Sequence, residues 1–254
     1  DQGSSHMERP ARQACRSVIA SVALLVVSSS AMAAAVTVFS TDFNGSLPSE
    51  ISPGTATQTG VQGFAGLGPT GNQFGGNFLR SETGNVVTLT LTALPAHTAL
   101  SIGFLFAAID SLDGTGTYPQ GDFFSVIVDG TTIFNESFAN ALPTQVQSYV
   151  PPAGVELARH LDLGFSGPGS YYTDSAYNLG ADAIFSNLAH TASTVTIQFV
   201  IQGVGIQSLA DESWAMDNLT VSVVPVPLPA AAWLLLSGLV GFAALGRRRP
   251  AAAV

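Results

Sequence analysis

Val87-Thr88-Leu89-Thr90-Leu91-Thr92 alternates an aliphatic residue with a threonine at every step. A period of two sends successive side chains to opposite faces of an extended chain, so this segment reads as a strand with one buried and one solvated face. Further on, Leu100 to Ile109 is apolar at nearly every position. That is the pattern of a central strand covered on both sides. Phe123 to Val128 and Thr132 to Phe138 flank Asp129-Gly130, a pair that favours the tight turn of a β-hairpin. Val36 to Phe39, Leu161 to Phe165, Val195 to Ile201 and Leu219 to Val224 complete the set of expected strands. Gly and Pro clusters at 63–76, 114–121 and 167–169 read as loops, the first as a flexible one, and only 181–190 suits a short helix. Many strands separated by turn signals predict an all-β fold, an antiparallel, jelly-roll-like β-sandwich, because paired sheets leave few edges exposed.

The sequence predicts that this body spans residues 36–224. Within it, two arginines (Arg80 and Arg159) face fifteen carboxylates, a net charge of −13, and the whole chain contains no lysine. Such a surface repels phosphate backbones, which excludes nucleic acid as a partner. It suits divalent cations, although solubility alone accounts for it equally well. The lone Cys15 lies outside the body, so disulfides do not hold it together.

Residues 1–35 read as an extension and secretory leader. Arg9, Arg12 and Arg16 form a basic region, Val18 to Val27 an apolar one, and Ala31-Met32-Ala33 a small-x-small cleavage site. Cleavage after Ala33 and after Ala35 both fit. Residues 225–254 have three parts: the motif Val226-Pro227-Leu228-Pro229-Ala230, an apolar run from Ala230 to Leu245, and Arg247-Arg248-Arg249. At about 1.5 Å per residue the run reaches roughly 24 Å as a helix, a short membrane span against a core of about 30 Å. The arginines assign its end to the cytoplasmic side, and the body then lies outside the cytoplasm. The expectation is therefore an N-terminal signal helix and a C-terminal transmembrane helix flanking the sandwich.

This terminal segment resembles the sorting signal of PEP-CTERM proteins, in the VPLPA-CTERM variant. The resemblance implies an exported cargo protein, recognised by an exosortase (a membrane cysteine peptidase-transpeptidase) and cleaved near the proline motif. Val226 to Ala230 and Arg247 to Arg249 are then recognition handles rather than catalysts. The stretches 108–130, 174–193 and 211–223 resemble the extracellular β-sandwich domain of many such cargo proteins. One departure is Leu112, where the resemblance leads one to expect a Trp able to stack on a sugar. The function implied is a cell-surface or biofilm-matrix structural or adhesion protein, released or retained after sorting. The alternative is a carbohydrate-binding module with calcium-stabilised loops, with extracellular polysaccharide as its partner.

Two acidic stretches are candidates for calcium, which takes six to eight hard oxygens at about 2.3–2.6 Å. Asp110 and Asp113 open a Gly-rich loop that Asp122 closes, although the spacing is not that of an EF-hand. Asp217 lies in the run entering the last strand, and Asp42, after the first strand, is its expected partner. The competing reading is that these aspartates cap turns. Tyr171, Tyr172, Tyr177 and Trp214 are candidates for stacking on sugar faces; alternatively, Trp214 and one Tyr belong to the core. Catalysis is not expected. Glu50, Glu82, Glu136, Glu156 and Glu212 are isolated, no Gly-x-Ser-x-Gly elbow occurs, and His97, His160 and His190 have no ligand spacing.

Overall fold

The computed structural model describes residues 33–115, 121–166 and 172–226. The expected leader as far as Met32, Tyr171, Pro227 to Ala230, the terminal apolar run and Arg247 to Arg249 lie outside the described residues. Among the described residues, no helix is long and apolar enough to cross a membrane.

The described strands, in chain order, are β1 (Val36–Thr41), β2 (Ile51–Ser52), β3 (Thr57–Gly60), β4 (Asn77–Glu82), β5 (Val87–Leu91), β6 (His97–Asp110) and β7 (Phe123–Val128), followed by β8 (Thr131–Ser137), β9 (Glu156–Leu161), β10 (Asp174–Tyr177), β11 (Leu188–Ala189), β12 (Val195–Gln202) and β13 (Glu212–Pro225). They form two sheets whose pairings are all antiparallel. The larger runs β3-β4-β13-β6-β10-β9, with β1 on β13 and β11 on β6; the smaller runs β2-β5-β12-β7-β8. Leu100, Ile102, Phe104 and Phe106 of β6 meet Leu89, Val126, Ile197 and Phe199 of the smaller sheet in one buried core. The protein is thus a β-sandwich.

The alternating stretch behaves as its pattern demands. Val87, Leu89 and Leu91 are buried, and Thr88 and Thr90 are not. The apolar run of β6 is buried on both sides: its even-numbered residues from Ile102 to Ala108 face the smaller sheet, while Leu105, Ala107 and Ile109 face outward under a second cluster. That cover comes from the Gly-rich stretch expected to be a flexible loop. It forms a 3₁₀ turn at Gln62–Phe64 and packs Phe64 and Phe74 against Phe78. Gly63 is required there, because a Cβ would stand 2.6 Å from the Leu163 carbonyl oxygen. Asp129 and Gly130, with φ of 48° and 79°, make the expected hairpin turn.

Three segments differ from the sequence reading. The last strand starts at Glu212, so Glu212 to Asn218 runs within the sheet instead of leading into it, and only Asp211 precedes it. Leu161 to Phe165 is not a strand: β9 ends at Leu161, and the Leu163 N–H donates to the Asp174 carboxylate (2.7 Å) rather than to a ladder. The segment 181–190 forms short 3₁₀ turns and β11, as the single helical turns near Leu179 and Phe185 are too short to propagate.

Candidate metal centre and adjoining cavity

The site lies where β6 ends and β13 begins. Asp110 and Glu212 are register partners across these two strands, and paired residues normally point to the same face. Asp110, however, has a φ of 64°, which turns its carboxylate toward Arg80 on the outer face. Glu212 keeps the strand alternation and shares the inner face with Trp214 and Met216. Two buried carboxylates that would have collided are thereby separated.

On the inner side, Asp113, Asp122 and Glu212 offer oxygens that lie within 4.8 Å of one another. Asp122 and Glu212 are fully buried and Asp113 is half-buried. The loop leaving β6 carries Asp113, the residue preceding β7 is Asp122, and β13 supplies Glu212. Asp113 N–H donates to Asp122 Oδ2 (3.0 Å), and Gln145 Nε2 donates to Asp113 Oδ1 (2.8 Å). Gln207 donates through its backbone N–H to Glu212 Oε2 (3.1 Å) and through Nε2 to Oε1 (3.0 Å). Asp122 Oδ1 is buried with no partner. Burial, then the charge of Asp122, pushes the Glu212 carboxyl up to about 8; burial raises that of Asp122 as well.

A cavity of about 420 Å³ adjoins this cluster, and Ser111, Asp113, Gln145, Tyr172, Gln207 and Asp211 are among the residues lining it. Gln145 is oriented on both ends, since its Oε1 accepts from the Leu142 N–H (2.9 Å). Ser111 Oγ donates to Asp211 Oδ1 (2.9 Å). The arrangement combines a half-buried aromatic ring, two fixed amides and two carboxylates around a space of ordinary ligand size.

The expected site residues therefore divide. Asp113 and Asp122 do converge, but their third partner is Glu212, which sequence reasoning set aside as isolated. Asp110 belongs to a different centre. Asp217 spends its oxygens on the N–H groups of Gly75 (3.1 Å) and Asn218 (2.7 Å), and burial raises its carboxyl to about 6. Asp42 is exposed and closes a turn on the Asn44 N–H (3.1 Å), which lowers its pKa. It is near enough to raise Asp217, yet the two join no larger group of ligands. Of the aromatics, Tyr172 lines the cavity. Tyr177 and Trp214 are fully buried and not available to a sugar. Tyr177 packs on Phe138 (centroids 4.9 Å) and Trp214 on Phe124 (5.3 Å), since both sit on inward-facing strand positions. Leu112 is buried too, so a Trp there would extend the core instead of forming a platform.

Sequence distance also hid a histidine pair. His97 and His190 stack with centroids 5.0 Å apart and hydrogen-bond at 2.7 Å, and His190 Nε2 meets Asp129 Oδ2 at 3.1 Å. This chain of contacts ties the β7–β8 turn to the start of β6.

No protein-family model and no curated protein matches the chain. Among solved structures, it is similar to a Paenibacillus sp. cycloisomaltooligosaccharide glucanotransferase complexed with cycloisomaltoheptaose: 14% identity over 72% of this chain and 18% of that one, TM-score 0.33. The Agl-KA catalytic domain gives 16% identity, 78% and 29% coverage, and a TM-score of 0.29. The CBM22-1–GH10 modules of Clostridium thermocellum endo-1,4-β-D-xylanase 10B, complexed with xylohexaose, give 8%, 69% and 26%, with a TM-score of 0.24. The chain spans less than a third of each of these structures.

Proposed function

We propose that this chain is an exported surface or matrix module whose β-sandwich body binds carbohydrate in the Tyr172 cavity. The observation that carries this reading is the cavity lining itself. A half-buried tyrosine ring stands beside the oriented amides of Gln145 and Gln207 and the carboxylates of Asp113 and Asp211. An apolar ring face with fixed donors and acceptors around it is what a hydroxyl-rich, partly apolar ligand requires. Export and exosortase sorting are supported by the leader-like and tripartite terminal sequences.

Binding is favoured over hydrolysis by exposure. Glycoside hydrolysis needs two carboxyl groups presented to the bond being cut. Here Glu212 and Asp122 are fully buried, Glu212 has both oxygens engaged by Gln207, and the two carboxylates that line the cavity are each held by a neighbour, Asp113 by Gln145 Nε2 and Asp211 by Ser111 Oγ. The β-sandwich body, jelly-roll-like in our reading, then serves as a scaffold for adhesion rather than as an enzyme.

A glycan array probed with the purified protein tests this reading. Retention of a defined polysaccharide class is expected, weakened about tenfold by Tyr172→Ala, a change of about 1.4 kcal/mol. Tyr172 is outside the core, so the variant should melt as the parent does. Undiminished binding by Tyr172→Ala, or turnover of the polysaccharide, would overturn the proposal. The intact mass of the secreted form tests the sorting half, because it reports both processing points at once.

A further inference from the structure

We propose that Asp113, Asp122 and Glu212 form a divalent-cation site, suited to Ca²⁺, in the wall of the cavity. This deepens the binding reading by naming an ion at the same place, but it is tested without any glycan, so the two ideas fail separately.

Convergence of three carboxylates is the first observation. An acidic cluster alone is often only a solvated surface, and the second observation separates this one from that case. Asp122 is fully buried, no N–H donor reaches its Oδ1, and the group facing it is the carboxyl of Glu212, so only a proton shared between the two carboxyls or a cation can satisfy it. A buried acceptor of that kind costs free energy unless something fills its coordination.

Among the described residues, no basic side chain forms an ion pair with the cluster: the ion pairs are Arg80 with Asp110 and His190 with Asp129. The body's basic residues besides histidine are Arg80 and Arg159. Arg80 is engaged by Ser213, Leu209 and Asp110 on the outer face. Four N–H donors, from Asp113, Gln145 and Gln207, serve the six carboxylate oxygens.

The ligand chemistry narrows the ion. All donors are carboxylate oxygens, which are hard and disfavour the thiolate- and imidazole-seeking metals. Oxygens on opposite sides of a Ca²⁺ ion stand about 4.6–5.2 Å apart, twice a bond of about 2.3–2.6 Å. The cluster already fits within that span. Mg²⁺ holds its waters and wants a strict octahedron of shorter bonds, which suits two buried, backbone-anchored carboxylates less well. Asp113 borders the cavity, giving the ion its route in and water its place in the remaining coordination.

The test uses the purified full-length protein, stripped with EDTA and dialysed, and titrated with CaCl₂ or MgCl₂ by calorimetry and thermal melting. Ca²⁺ should give a saturable heat at a single site. At about a hundred times its dissociation constant it should raise Tm by about 5–10 °C, with Mg²⁺ giving less. Glu212→Gln is nearly isosteric and relieves the carboxylate crowding; its oxygen still accepts from the Gln207 N–H, and the Gln207 side-chain amide turns over to accept from the new NH2. Its metal-free form should melt no lower than the metal-free parent and should show no Ca²⁺ shift. Absence of heat and of a Tm shift in the parent overturns the proposal, as does an equal Ca²⁺ shift in Glu212→Gln.

Discussion

Two buried acidic centres sit back to back where β6 meets β13, and the chain has solved them differently. On the outer face, Asp110 and Asp174 lie beside Arg80, whose guanidinium also stacks over Phe165 at 4.2 Å. Asp174 accepts the Asp110 N–H (3.0 Å) and the Leu163 N–H (2.7 Å), so its oxygens are both satisfied. On the inner face, Asp113, Asp122 and Glu212 have N–H donors but, among the described residues, no ion-pair partner. One centre is closed within the protein; the other is completed, on our account, from outside. Arg80 makes the difference between the two faces. It holds one face of the central strands shut and leaves the opposite face free to bind.

The largest expected effect is on the closed centre. Arg80→Met keeps the aliphatic contacts but strands Asp110, whose Oδ2 stands 3.7 Å from the guanidinium and has no hydrogen bond. Removing one partner of a buried pair typically costs about 3–5 kcal/mol, which urea denaturation should register. A loss below about 1 kcal/mol would mean that the outer centre is not held by its arginine, and the contrast would dissolve.

pH gives a second distinction, read from the difference between the parent and Asp174→Asn because Asp217 and Glu212 are raised as well. Burial pushes Asp174 up to about 7 and Asp110 up to about 6, in the latter case against the opposing pull of Ser166 and Arg80. A carboxyl raised in the folded state binds a proton that the unfolded chain releases, so its contribution is complete below the unfolded value near 3.9. It is lost as pH rises to the folded value. For Asp174 the loss is at most about 1.4 kcal/mol per pH unit between roughly pH 4 and 7. Denaturation midpoints should therefore fall from pH 5 to pH 7, and the slope should flatten in Asp174→Asn. A midpoint that rises over this range contradicts the assignment.

How much of this could be read in the sequence follows from the range of each signal. Val87 to Leu91 is legible because one face is buried and the other solvated, and β6 because both are buried. β4 is not: Phe78 and Leu79 point to opposite buried faces, and Arg80 interrupts them, so no period of two emerges. Asp113 and Asp122 are legible as the two ends of one loop. Glu212 is not, since its partners are far away in the chain. Even so, the alternation Glu212-x-Trp214-x-Met216 places this carboxylate on the same face as a tryptophan. Once Trp214 is taken as core, Glu212 must be a buried carboxylate in need of partners. Of the two readings open for the aromatics, the core one holds for Trp214 and Tyr177, because residue type says what a side chain can do and only strand phase says where it points. His97 and His190 lie 93 residues apart, and no local pattern links them.

The most direct test of the open centre is the metal content of protein purified without chelator, read by elemental mass spectrometry. The account predicts close to one Ca²⁺ per chain in the parent and none in Glu212→Gln, with Arg80→Met retaining the ion wherever it folds. A parent free of calcium even after equilibration with CaCl₂, or calcium bound equally by Glu212→Gln, would contradict it.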